Sequence, residues 1–260
     1  MNARNTLLVI ALLSLSSCSR YYYKPNAVNT PLFTDGMQGH LAVAGSIGGD
    51  GDDGDRTTFA DVQGSFSPVK HLGIIANYST WNYSPARSTG TPARAQLLEG
   101  GLGGYMPMGK RKVKMVTELY AGYGAGQLKS DVDLDVQRFF IQPAIGMRSP
   151  WVDASFALRW AFVNYANLDD NGRGYAYLQQ QQLVDMYGNR RIDQGTFTFL
   201  EPSFTVRGGY KFLKVQLQLV TAMPVSAIAW NHDPVRFTVG LQFSAENLAD
   251  MIRESNRKDN

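Results

Sequence analysis

Asp153-Ala154-Ser155-Phe156-Ala157-Leu158-Arg159-Trp160-Ala161-Phe162 is the stretch that decides the fold. Phe156, Leu158, Trp160 and Phe162 fall on alternate positions. Asp153, Ser155, Ala157, Arg159 and Ala161 fall between them. Successive side chains of a strand point to opposite faces, so one face is apolar and the other mixed and polar. The same period recurs elsewhere. Phe237, Val239, Leu241 and Phe243 oppose Arg236, Thr238, Gly240 and Gln242. Val215, Leu217 and Leu219 oppose Gln216 and Gln218. Phe139, Ile141, Ile145 and Met147 oppose Arg138, Gln142, Ala144 and Gly146.

Working outward, period two predicts ten strands, near 38–47, 57–67, 72–83, 95–106, 113–126, 136–147, 152–165, 196–208, 212–222 and 234–243. Most are close to the length of about 9–11 residues that a tilted membrane strand needs. Two architectures fit the alternation. A soluble lipocalin-like barrel turns its apolar face inward, and a membrane barrel turns it outward to lipid. The connections favour the second. Pro68–His71, Pro107–Lys112, Ser149–Trp151 and Gly209–Lys211 are short, and alternate with the longer Gly48–Arg56, Ser84–Arg94, Gln127–Asp135, Leu168–Gly195 and Met223–Asp233. Short periplasmic turns alternating with longer external loops mark an up-and-down membrane barrel. The expected fold is therefore all-β, an antiparallel transmembrane barrel of about ten strands. Eight or twelve strands stay open; Leu168–Gly195 could hide another hairpin and make the barrel twelve-stranded.

Composition agrees. Gly counts 26, aromatics are 12% and charged residues only 18%, which suits strands. A formal charge of +3 from 25 basic and 22 acidic residues excludes a strong case for a nucleic-acid partner. With a single cysteine, Cys18, no intramolecular disulfide can form. After residue 18 no apolar run is long enough for a transmembrane helix.

The polar faces carry charges in mid-strand. Glu99, Glu118, Arg138, Gln142, Arg159, Glu201, Arg207 and Arg236 are expected to pair inside the lumen and fill it. Phe140-Ile141-Gln142-Pro143-Ala144-Ile145 repeats as Phe199-Leu200-Glu201-Pro202-Ser203-Phe204, with Leu97-Leu98-Glu99-Gly100-Gly101-Leu102 as a looser copy. Pro143 and Pro202 cannot donate to a ladder, so a bulge is expected at each.

Other chemistry is sparse. Asp50, Asp52, Asp53 and Asp55 form a candidate calcium loop, since calcium prefers oxygen ligands, but the spacing departs from the D-x-D-x-D-G pattern. His71, in a short turn, and His232, in a long loop, fall at opposite ends of the barrel plan and cannot share a metal, and His40, near the start of the first strand, has no identifiable partner. His232 with Asp233 and a loop serine such as Ser88 is the best catalytic constellation, yet nothing nearby marks that serine as activated. No enzyme activity and no cofactor are expected.

Two resemblances extend this reading. Arg4, then Leu7-Leu8-Val9-Ile10-Ala11-Leu12-Leu13, then Leu15-Ser16-Ser17-Cys18 resembles a bacterial lipoprotein signal ending in a lipobox. That resemblance implies cleavage after residue 17, lipid (palmitate included) on Cys18, and sorting to the outer membrane. Met37 to Phe243 resembles small outer-membrane barrels of Gram-negative bacteria. Val239-Gly240-Leu241-Gln242-Phe243 is similar to their C-terminal insertion signal, although a tail follows it. The resulting plan is a signal peptide at 1–17, a lipidated periplasmic linker at 18–36, a barrel at 37–244 and a periplasmic tail with a short helix at 245–260. In the linker, Tyr21-Tyr22-Tyr23 would lie at the headgroup level, with the lipid in the inner leaflet. The function expected is that of a structural or accessory component of the cell envelope. Its partners would be outer-membrane lipid and another envelope protein. The alternatives are a small transport or ligand-binding barrel, or a lipocalin-like periplasmic carrier of an apolar ligand.

Overall fold

A computed structural model describes residues 21–48, 55–86, 91–109, 112–184, 190–210 and 212–245. Its elements are β1 (Tyr21–Tyr23), β2 (Gln38–Gly48), β3 (Arg56–Val69), β4 (Leu72–Ser84), β5 (Ala93–Met108), β6 (Lys114–Lys129), β7 (Asp133–Arg148), β8 (Val152–Asp169), α1 (Tyr175–Gln180), β9 (Thr196–Tyr210), β10 (Leu213–Thr221), β11 (Met223–Pro224), β12 (Asn231–His232) and β13 (Val235–Ser244). Strands β2 to β10 follow one another around the wall, and β13 closes it between β10 and β2. All wall pairings are antiparallel. The ten wall strands therefore leave no unpaired edge, the condition lipid imposes on a sheet. Neither eight nor twelve strands form. The connection after β8 folds into α1 and a 3-10 turn, Ile192–Gln194, rather than a further wall hairpin.

Alternate residues point in and out along every wall strand. Outward lie apolar side chains such as Leu98 at 62% exposure and Leu217 at 43%, while Arg159, facing inward, is 0% exposed. This is the membrane arrangement, and it reverses the lipocalin-like alternative, which needs an apolar interior. Trp151 and Tyr210 pack together near the short turns, with ring centroids 5.1 Å apart. Aromatic rings are favoured at that level of a membrane wall.

Two local expectations are corrected. The register runs unbroken through Pro143 against β6 and through Pro202 against β8, so neither forms a bulge. Instead the β7–β8 ladder simply lacks the rungs between Ile141↔Trp160 and Ala144↔Ala157. Opening two rungs removes the demand for the missing N–H without shifting any side chain to the wrong face. The connection between β6 and β7 is also short, only residues 130–132, because both strands run on above the predicted ends. The predicted tail helix lies outside the described residues, apart from Ala245 at its start.

Leu217 faces outward between Val206 and Val239, near the middle of β10. Leu217→Arg is expected to cost about 2–4 kcal/mol, the range for a cation at mid-membrane. Denaturant unfolding of the barrel in lipid vesicles measures this, and an unchanged midpoint would contradict the outward assignment.

Candidate functional site

The lumen is the site, and it is occupied by the chain's own N-terminal segment. Residues 22–33 are all buried inside the wall. The expectation of a periplasmic linker with tyrosines at the headgroups is thus overturned: Tyr22 and Tyr23 are 4% and 5% exposed. The physical reason is the demand of the inward charges for partners. Sealed among themselves they would leave many lone pairs and protons unmet, and the segment supplies partners to part of them; Arg159 Nη1, Arg207 Nη1 and Gln142 Oε1 still have no hydrogen-bond partner among the described residues.

The segment has little regular structure beyond β1, so its backbone groups need partners from the wall. Gln218 accepts from the Val28 N–H at 2.8 Å and donates to the Val28 carbonyl at 2.8 Å. Gln142 donates to the Asn29 carbonyl, Arg236 to the Pro25 carbonyl and Arg148 to the Leu32 carbonyl. The Phe33 N–H donates to Glu118, and Tyr165 donates to the Tyr22 carbonyl. Pro25 and Pro31 carry no N–H and so remove two donors from the demand.

Asn26 sits at the centre. Its amide nitrogen donates to Glu99 at 2.7 Å. Its side-chain oxygen accepts from Arg138 at 2.5 Å and from Arg159 at 2.7 Å. Arg138 pairs with Glu99 at 2.6 Å and Arg159 with Glu201 at 2.5 Å. The Tyr23 hydroxyl bonds Glu201 and receives a hydrogen bond from Arg138 at 3.1 Å. Two arginines and two glutamates, all at most 2% exposed, therefore balance in charge around one asparagine. Lower in the lumen Arg207 reaches Thr30 at 3.3 Å and Gln216 at 2.8 Å.

All eight residues expected in the lumen network point inward, and each hydrogen-bonds to residues 23–33. The sequence reading missed the segment itself, because Asn26, Asn29 and Thr30 follow neither period. It also missed Asp61, which pairs with Arg236, and Asn77, which accepts from Asn29 at 3.1 Å. Ser155, bonded to Thr30 at 2.9 Å, and the Lys214–Asp153 pair at 2.8 Å were missed as well. Gly146 could have signalled the segment. A Cβ there would lie 2.6 Å from a methyl carbon of Leu32, so the wall is trimmed to admit that side chain.

The long-loop mouth is capped. Leu178, Leu183, Val184, Ile192 and Trp230 form one apolar cluster with Tyr22, Tyr23, Tyr165 and Phe199. Tyr23 stacks on Phe199 with centroids 4.0 Å apart. A cavity of about 50 Å³ beside Tyr22 and Arg138 is too small for an organic ligand.

The remaining candidates disperse. Asp50, Asp52, Asp53 and Ser88 lie outside the described residues. Asp55 bonds the Tyr83 hydroxyl and accepts from the Ala86 N–H at 2.8 Å, bracing two loops. His40 stacks on Phe33, and His71 contacts the Tyr105 carbonyl at 3.0 Å in a short turn. His232 pairs in β12, where burial lowers its pKa, and the Asp233 carboxylate lies 3.7 Å from Lys24. No group of metal-ligating side chains forms among the described residues.

These features define a class: a ten-stranded membrane-type barrel sealed by its own N-terminal segment. No protein-family model matches the chain, and no curated protein matches it. Among solved structures it is similar to LpxR from Salmonella typhimurium, at 8% identity and a TM-score of 0.27, over 80% of this chain and 99% of that one. It is also similar to CdiB from Acinetobacter baumannii, at 9% identity and a TM-score of 0.22, over 81% of this chain and 60% of that one. The barrel assignment rests on the strand pairing, and these likenesses add nothing on activity.

Glu99→Gln leaves Arg138 buried without its counter-charge and is expected to destabilise the barrel by about 3–5 kcal/mol. Adding Arg138→Met should recover part of that loss, a non-additivity read from a double-mutant cycle of unfolding midpoints.

Proposed function

We propose that this chain is a sealed outer-membrane barrel lipoprotein that acts without catalysis, as a structural or accessory component of the cell envelope. One observation carries the reading: the lumen holds the segment 22–33, hydrogen-bonded at almost every residue, and this filling among the described residues supports a barrel without an aqueous path or a ligand chamber. The apolar outer face supports membrane insertion, and the resemblance of the C-terminal strand to an insertion signal supports the outer membrane. The lipobox-like Leu15-Ser16-Ser17-Cys18 supports lipid on Cys18, which lies outside the described residues. Work then falls to surfaces. The loop between β8 and β9 presents Asn171, Arg173, Tyr175, Gln179 and Gln180 outward over the cap, a face suited to another envelope protein.

Reconstituted in a planar bilayer, the intact protein should give no conductance steps. Deleting residues 24–33 should yield a steady open current from the fraction that still migrates as a heat-modifiable barrel, because it removes the filling of the lumen. Steps from the intact chain would overturn the sealed reading. Purification through a C-terminal tag in mild detergent should bring down a stoichiometric envelope protein; recovery alone would contradict the accessory role. Cys18→Ala should abolish palmitate labelling, and continued labelling would refute the lipobox.

A further inference from the structure

The direction of the lumen segment fixes the side of the membrane from which it starts. β1 pairs in parallel with β12, Tyr21 against Asn231 and Tyr23 against His232, within the long connection between β10 and β13. The Asp233 N–H donates to the Tyr23 carbonyl at 2.8 Å, and Tyr22 and Tyr23 pack under Leu178, Leu183 and Trp230 of the cap. The segment therefore begins at the long-loop mouth. It ends at the opposite rim. Leu32 and Phe33 pack with Tyr105 and Val116. A Cβ on Gly36 would fall 2.9 Å from the Lys70 nitrogen in the β3–β4 turn, and the Met37 N–H donates to Ser67 at 2.6 Å. Met37, at φ 57°, reverses the chain into β2, which climbs back to the long-loop end.

We infer that the chain is threaded through its own barrel from the outside, so that the residues ahead of Tyr21 stand on the external face of the membrane. Short turns face the periplasm and long loops the exterior in barrels of this build. Cys18 is three residue steps from Tyr21, at most about 11 Å of chain. The apolar band of such a barrel is about 25 Å tall, so a lipid on Cys18 cannot reach the inner leaflet from there. The acyl chains would insert in the external leaflet, with this chain's partner being the lipid of the cell surface. This reverses the inner-leaflet placement expected from sequence. The part concerning lipid rests on the lipidation of Cys18 proposed above; the threading does not.

The test uses the full chain in whole cells with single added cysteines and a membrane-impermeant maleimide. Arg20→Cys reports the start of the segment, Asn171→Cys the loop after β8, and Lys70→Cys the β3–β4 turn. Arg20→Cys and Asn171→Cys should label in intact cells, and Lys70→Cys only after the outer membrane is permeabilised. Arg20→Cys protected while Asn171→Cys labels would overturn the threading. Both protected while Lys70→Cys labels would overturn the external placement. Palmitate labelling of the same strains separates the two readings: its absence refutes the lipid on Cys18, and the maleimide pattern is then read in a Cys18→Ala background, where no native thiol competes. Heat-modifiable migration of each variant shows that the wall has folded.

Discussion

A stretch of polypeptide buried without helix or sheet must still have its peptide groups hydrogen-bonded, and the rest of this structure depends on how that is done. An unpaired buried amide or carbonyl costs on the order of 1–3 kcal/mol. Residues 22–33 present a run of them inside the wall. Gln218 meets both groups of Val28, and Gln142, Arg148, Arg236 and Glu118 meet others one by one. The inward face of the wall is thus a set of side-chain partners laid out along an extended backbone.

This explains why charges sit in mid-strand at the depth of a bilayer. Buried ions are tolerated when paired and further hydrogen-bonded. Arg138, Glu99, Arg159 and Glu201 satisfy both conditions only with Asn26 and Tyr23 among them. Removing the segment would leave a neutral but under-bonded quartet. The wall and the segment therefore specify each other, and the capped mouth follows. Tyr22 and Tyr23, drawn inward by these bonds, offer the rings on which Phe199, Trp230 and the β8–β9 loop pack.

The wall was legible because period two is a local signal. Each apolar face must meet lipid whatever the neighbouring strands do, so Phe156, Leu217 and Phe237 declared themselves. The eight lumen residues were legible for the same reason, being polar positions on strands already assigned. The segment was not. Its conformation is set by partners up to 211 positions away, as for Pro25 with Arg236. Residue types such as Asn26-Ala27-Val28-Asn29-Thr30 look like a solvated linker unless the lumen's unmet hydrogen bonds are counted first. Pro143 and Pro202 taught a smaller lesson. A ladder can drop rungs in place, and keeping register matters more than keeping every bond, since a slip by one residue would turn the apolar face inward.

The central claim is that residues 22–33 fill the lumen. The Thr30 and Ser155 hydroxyls lie 2.9 Å apart, so cysteines at these positions would bring their sulfurs side by side. In a Cys18→Ala background, mild oxidation of Thr30→Cys/Ser155→Cys in membranes should convert nearly all of the protein to an intramolecular disulfide, seen as a shift on a non-reducing gel. A folded, heat-modifiable barrel in which both thiols stay free would contradict the threaded lumen.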